Sequence, residues 1–367
     1  MYKISCLFFE LIQVAIGHRK KLSHVPTKDE WYELFELSQK QAVVGVAFLA
    51  LNELSKEGQK PPLELLYEWI GSTEQIKNQN RIVNKRCVEI TRIFRNAGYR
   101  TCILKGQGNA MMYPDKFVRT SGDIDIWVEG KREDIRQFVI SKCPNAEDGT
   151  LHIHFPVFND VEVEVHYNAR RTNNPFYNRR LQKWIKECSD EQFLNSVYLP
   201  EHPEEGISIP TAKFNVVHQL FHIMSHFFIE GVGLRHFVDY YYVLKKYYSE
   251  NNDSKEIKNT LRYLGAERFA RGVMWIEKVC LGLEDDFLLV KPSQTIGRVI
   301  LKELEEGGNF GHYDERYKIR EEGVLVRGIA DTYRLLKLST LFPSESAWKI
   351  FDKISNQKWR LKLARIK

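Results

Sequence analysis

The chain has 367 residues, of which 43% are hydrophobic, 12% aromatic and 28% charged; that length exceeds what one core usually serves, so two or three packed subdomains are expected and a disordered chain is excluded. Lys and Arg number 54 against 48 Asp and Glu, a net charge of +6, which suits phosphate-bearing ligands but falls far short of a dedicated nucleic-acid binder. No run approaches about 18 uninterrupted apolar residues, so no transmembrane segment is expected, and six scattered cysteines without a CxxC pair exclude a zinc ribbon or disulfide scaffold and read as reduced thiols in a cytoplasmic protein.

In chain order, Leu7–Ile16 is apolar but carries Glu10 and Gln13 and lacks a small-residue cleavage site, which reads as an amphipathic helix and not a signal peptide. Thr27 is an N-cap for a helical segment Lys28–Lys56, with Trp31, Leu34, Phe35 and Leu37 near helical spacing. Pro61-Pro62 punctuates the chain before a long helix, Leu63–Asn96, that stops at Asn96-Ala97-Gly98. From Tyr99 the texture changes to a strand at Arg100–Leu104, a short helix at Gly108–Met112, a turn at Tyr113-Pro114-Asp115 and a strand at Asp123–Val128. A helix at Lys131–Lys142 and alternating strands at Leu151–Phe158 and Val161–Tyr167, joined by a hairpin turn at Asn159-Asp160, follow. An Arg- and aromatic-rich stretch leads into a loop with Pro200, Pro203 and Pro210, and helical periodicity resumes at Thr211, interrupted at the Gly-rich Glu305–Tyr313. The tail Lys358–Lys367 sets basic residues around Trp359, Leu361, Leu363 and Ile366, a snorkelling terminal helix suited also to an anionic membrane or RNA. The fold class is therefore α+β: a small mixed sheet at 98–168 flanked by a helical region at 1–97, a connecting segment at 169–210 and a helical domain at 211–367.

The chemistry concentrates in Gly122-Asp123-Ile124-Asp125-Ile126. The period of a strand puts Asp123 and Asp125 on one face and Ile124, Ile126 and Val128 on the other. Val161-Glu162-Val163-Glu164-Val165-His166 repeats the pattern. Paired, the two strands gather carboxylates on one sheet face with no basic residue in either strand, an arrangement that repels itself unless a cation fills it. Hard oxygen ligands favour Mg²⁺, two ions shared with substrate phosphates. Upstream, Lys105-Gly106-Gln107-Gly108 lies between a strand and a helix, where backbone N–H groups meet an anion, and Arg119 adds charge.

The run LKGQGNAMMYPDKFVRTSGDIDIWV (Leu104–Val128) with VEVEVHY (Val161–Tyr167) resembles the DNA-polymerase-β-like nucleotidyltransferase superfamily, and more closely the bacterial family of uncharacterised nucleotidyltransferases, which shares Leu-Lys-Gly, an Arg before Gly-Asp-x-Asp and a later Glu-x-His. His222, His226, Leu234-Arg235 and Asp239 extend the resemblance more loosely; the N-terminal helices match nothing specific. The resemblance implies a nucleotidyltransferase palm in which Asp123 and Asp125 hold two Mg²⁺ ions. Glu164 would be the third carboxylate, with Glu162 as the competing choice, and Lys105, Gly106, Gln107, Gly108 and Arg119 would contact the nucleotide. It also implies an NTP substrate such as ATP and a hydroxyl acceptor on a small molecule, a protein or an RNA end.

Other residues carry weaker signals. His218, His222 and His226 recur every four residues on one helical face, which suggests packing on the sheet, with His222 or His226 touching nucleotide or acceptor; zinc is disfavoured because no third ligand is in pattern. Arg235 and Asp239 are spaced for an intrahelical pair or for the active site. Arg170, Arg171, Arg179 and Arg180 follow the last acidic strand as phosphate or acceptor contacts or as an exposed basic loop. Two rival functions are a catalytically silent nucleotide-binding regulator and a basic nucleic-acid-binding module.

Overall fold

The computed structural model describes residues 3–229, 231–250, 254–309 and 324–351; the basic tail Lys358–Lys367 and residues 310–313 of the Gly-rich interruption lie outside them. Helix α1, Lys3–Ala15, buries Leu7, Phe8, Leu11 and Ile12 and packs on α3, which spans Val44–Lys56. The segment expected as one helix from Lys28 to Lys56 is two: α2, Lys28–Lys40, opens with a capping box between Thr27 and Glu30, and the chain then turns through Gln41–Val43 with Ala42 at φ 54°. The break has a use. Gln41 is buried, its Oε1 accepts from Leu234 N at 2.8 Å and its Nε2 donates to Leu304 O at 2.8 Å, so a side chain that a continuous helix would direct elsewhere caps a distant helix.

Helix α4 spans Leu63–Asn96 as the sequence leads one to expect, and its last carbonyls are closed by Gly98 N and Tyr99 N. Its first half inserts Leu65 and Trp69 among the other helices, while Val83, Ile90 and Phe94 pack on the sheet. Its polar residues also hold loops: Asn80 Nδ2 donates to Phe117 O and Arg119 O, both at 2.7 Å, and Asn84 accepts from Gln107. Gly45 in α3 lies so close beneath Val118 that a Cβ there would collide with its carbonyl. The loop that leads into Asp123 is thus gripped from two sides.

The sheet contains β1 Thr101–Ile103, β2 Ile124–Val128, β3 His152–His154 and β4 Val163–His166, in the order β1-β2-β4-β3. β2 runs parallel to β4, and both outer pairings are antiparallel. The expected strand Leu151–Phe158 is cut to three residues because Pro156 cannot continue the ladder. Between β1 and β2 lies the one-turn helix α5, Gln107–Ala110, and after β2 comes α6, Arg132–Lys142. Ile124, Ile126, Val128, Val163 and Val165 pack against α4 and α6 on one face. Trp127 points the other way, onto Phe193 at a ring separation of 4.6 Å and stacked with Phe214.

The stretch after residue 168, expected as a connecting segment ending in a loop, is largely ordered. Asn174 caps α7, Pro175–Leu194, with Pro175 at its first position, and β5 Ser196–Leu199 pairs with β6 His202–Ser208 around a turn in which Glu201 takes φ 67°. Pro203 is tolerated because this ribbon has only two strands, leaving an unpaired edge. Further helices among the described residues include α8 Ala212–Ile229, α9 Leu234–Glu250, α10 Ser254–Tyr263, α11 Glu267–Val279, α12 Gln294–Gly307 and α13 Val324–Ser339. Helices α8 and α9 cover the carboxylate-bearing face of the sheet. No helix among the described residues is long and apolar enough to cross a membrane.

Replacing Gln41 by Ala would strand the Leu234 N–H and the Leu304 carbonyl in the core. Gln41→Ala is expected to lower unfolding stability by roughly 2–4 kcal/mol, read as a shift of the urea midpoint with an unchanged slope.

Candidate active site

The parallel register sets Asp125 directly opposite Glu164 and Trp127 opposite His166, and the β3–β4 pairing brings His152 opposite His166. Asp123 stands just before β2, where Ile124 N already bonds Glu162 O. Asp123, Asp125, His152, Glu162, Glu164 and His166 line one cavity of about 650 Å³ together with Lys105, Gly122, Arg170, His222, His226 and Arg235. A second cavity, of about 690 Å³ around Gly108, Met111 and Tyr242, has no paired carboxylates, so the first is the candidate site.

The acidic face finds its counter-charge within the chain, which corrects the expectation that only an added cation could relieve it. Lys105 Nζ lies 2.8 Å from Asp125 Oδ2 and 3.7 Å from Asp123 Oδ1. Gly106 turns the chain at φ 66°, a conformation that favours glycine, and so lets Lys105 reach down while Gln107 begins α5. His166 Nε2 donates to Asp125 Oδ1 at 2.8 Å and lies 3.4 Å from Glu164 Oε2, while His152 Nδ1 approaches the same oxygen at 3.2 Å. Burial works against ionisation of Glu164, but the hydrogen bond from His166 and the fields of His152 and Lys105 outweigh it and hold this carboxyl down at about 2. Burial lowers the Lys105 pKa, partly offset by Asp123, and it also lowers those of His166 and His152. Burial therefore makes the charged lysine costlier than it would be in solvent, and the two aspartates offset that cost.

The other expected residues divide. Arg170 and Arg235 line the cavity, and Arg235 Nη1 donates to Thr120 O at 3.2 Å; burial and the nearby Arg119 bring the Arg235 pKa down to about 10. Arg171 is exposed and does not line it, and Arg180 instead bonds Tyr263 O. Arg119, expected at the nucleotide, is committed elsewhere: its Nε and Nη2 clasp Asp239 at 2.8 and 2.7 Å, and Tyr113 Oη donates to the same carboxylate at 2.7 Å. Asp239 is therefore held by Arg119 rather than paired along its own helix with Arg235. Gln107 bonds Asn84 and Gly108 packs beneath Ile209, and of the expected phosphate loop Lys105 is the residue that lines this cavity. His218 faces the Ala169 carbonyl at 3.2 Å, outside the cavity.

His166 and Gly122, named with the acidic strands, also belong to the lining, as do His152 and Ser225, which the sequence does not single out. His166 was legible from its period-two spacing to Glu164, but His152 reaches the site only through strand pairing.

A family model described as an uncharacterised nucleotidyltransferase matches residues 27–282. The chain belongs to that family. The match takes in α2, α3 and α4 but not α1, so these three helices, which on motif grounds alone resemble nothing specific, are part of the body this nucleotidyltransferase shares with its family. Among solved structures, an antigenic nucleotidyltransferase-like protein from Paracoccidioides brasiliensis aligns at 11% identity over 60% of this chain and 96% of its own, with a TM-score of 0.32. That score is too low to carry an argument. No curated protein matches the chain.

The Arg119–Asp239–Tyr113 cluster braces the loop before Asp123 against α9. Arg119→Ala, which leaves the buried Asp239 carboxylate without its guanidinium, is expected to cost about 3–5 kcal/mol of stability. The double change Arg119→Met with Asp239→Leu should cost less than Arg119→Ala alone, and urea unfolding of both proteins checks the ordering.

Proposed function

We propose that this nucleotidyltransferase moves a nucleoside monophosphate from an NTP to a hydroxyl acceptor, releasing pyrophosphate. The observation that supports this best is the meeting of Asp123, Asp125 and Glu164 with Lys105, Arg170 and Arg235 in one cavity. Carboxylates alone would repel a triphosphate and cations alone would bind it without activating anything. Both signs facing one space suit a nucleotide that arrives with a divalent ion.

The donor set fits such an ion. Asp123, Asp125 and Glu164 would hold it, and Asp125 Oδ2 is a buried oxygen whose near neighbour is the Lys105 ammonium rather than a hydrogen-bonding partner of ideal geometry. Bound there, Mg²⁺ would lower the pKa of an acceptor hydroxyl and offset charge on departing pyrophosphate. The chain's own residues do the rest. His166 fixes the orientation of Asp125 through its Nε2–H, and His152 and His166 keep Glu164 ionised. Lys105 offsets part of the charge of the two aspartates in the resting site, and its charge becomes available to phosphate oxygens once the carboxylates have another partner. Arg170 and Arg235 supply further charge for phosphate, from the loop after β4 and from α9.

The bridge from Lys105 to both aspartates also favours a second reading, in which the lysine permanently takes the cation's place and the protein binds nucleotide without turnover.

The test is calorimetric titration of the four NTPs with Mg²⁺ into wild type, Asp123→Asn/Asp125→Asn and Lys105→Ala. Metal-dependent binding of at least one NTP, weakened by about a hundredfold or more in the double variant, is expected. Transfer of label from α-labelled nucleotide to an acceptor extract separates the two readings. Absence of NTP binding under all metal conditions would overturn both.

A further inference from the structure

One cluster in the same cavity is unlike the rest of the site. His222 and His226 are four residues apart on α8 and so share a face. His236, in the first turn of α9, comes across to meet them, with ring separations of 4.5 Å (His222 to His226), 5.3 Å (His222 to His236) and 5.0 Å (His226 to His236). One ring nitrogen from each lies within 4.8 Å of the other two. The sequence shows only the pair on α8; the third ligand type arrives because Gln41 pins the start of α9 at Leu234.

We propose that His222, His226 and His236 form a binding site for a transition-metal dication, Zn²⁺ in the first instance, with its open coordination position facing the cavity.

Four observations carry this. First, the donors are all imidazole nitrogens, which select zinc and its neighbours over Mg²⁺, whereas the carboxylates on the opposing strands prefer the harder ion. Second, His236 Nδ1 faces the Gly233 carbonyl at 3.2 Å. Donating there commits that nitrogen and leaves the lone pair on Nε2, the arrangement by which an outer carbonyl orients a metal-binding histidine. Third, His222 is 4% exposed and its Nδ1, like several other buried polar atoms of the chain, has no hydrogen-bond partner among the described residues, so a ligand can take a lone pair there without breaking an internal bond. Fourth, His222 and His226 line the cavity, so three protein ligands would leave the remaining position open, as in catalytic rather than structural zinc sites.

The rings must close further on binding, since Zn–N bonds of about 2.0–2.1 Å put tetrahedral ligand atoms about 3.4 Å apart. His226, half-buried on the last turn of α8, is placed to make that movement. Burial keeps His222 and His236 in the neutral, ligating form. The fields of Lys105, Arg170 and Arg235 also reach these rings, so a dication here calls for an anionic fourth ligand, and the cavity is where one would enter.

The experiment uses the full chain, stripped with chelator, reloaded with Zn²⁺ and freed of excess metal by gel filtration. Bound zinc is measured by atomic emission, and Co²⁺ is titrated in parallel for its visible ligand-field bands. Wild type is expected to retain stoichiometric zinc and to give the intense bands of a four-coordinate nitrogen-rich site. His226→Gln and His236→Gln should each weaken zinc binding by more than about a hundredfold, beyond the loss typical of an outer-shell partner, while His152→Gln keeps it. If His236→Gln fails to fold by circular dichroism, His226→Gln decides, because its ring is only half-buried. The proposal is overturned if wild type retains no zinc, if His226→Gln binds as wild type does, or if the loss follows His152→Gln, which would place the metal with Glu164 instead. These readouts need no nucleotide, so they stand apart from the proposed transfer reaction.

Discussion

The parallel pairing of β2 with β4 is the constraint on which the site depends. Because side chains alternate along a strand, the register that sets Asp125 opposite Glu164 also puts Ile124, Ile126, Val163 and Val165 together on the opposite face. A slip of one residue would turn the acids into the core and the valines into the cavity. The apolar packing under α4 and α6 therefore determines the carboxylate geometry on the other side. Stability of the core and placement of the chemistry are one requirement, met by one hydrogen-bonding pattern.

Around that sheet, the helices act as holders. Helix α4 passes from the larger helical core onto the sheet and uses Asn84 to hold the first residue of α5 and Asn80 to hold the loop that follows it. Helix α9 brings Asp239 to clasp Arg119 and presents Arg235 and His236 nearby. Gln41, at the break between α2 and α3, ties the start of α9 to the N-terminal helices. A buried polar contact of this kind is costly to leave half made, so these few side chains specify how the helical layers meet the sheet. That the family match begins at residue 27 agrees with this role for the N-terminal helices.

Charge in the cavity is balanced without being neutralised everywhere. Lys105 joins the two aspartates, and two histidines attend Asp125 and Glu164. Burial lowers the pKa of Lys105 and of both histidines, so the balance rests on groups whose charged forms burial disfavours. Arg119, in contrast, is fixed: burial disfavours its charge, but Asp239 more than compensates and raises its pKa. Two arginines close in space thus do different work, Arg119 in bracing and Arg235 in lining the cavity.

Local pattern determined much of this protein: the long helix Leu63–Asn96 with its stop, the capping box at Thr27, the alternating acids at Asp123, Asp125 and Glu164, and the α+β class. Each depends on neighbours a few residues apart, where spacing and propensity suffice. Motif resemblance was enough to reach the family. Tertiary structure decided what depends on residues far apart in the chain. It broke 28–56 into two helices because Gln41 is needed at Leu234, and it ordered 175–208 into a helix and a ribbon against the sheet and helices. It also withdrew Arg119 and Gln107 from the cavity, supplied Lys105 as the counter-charge, and brought His152 and His236 to partners 12 and 14 or 10 residues away. Where a charged side chain ends depends on which buried partner reaches it, and a partner across the fold leaves no periodic trace in the sequence.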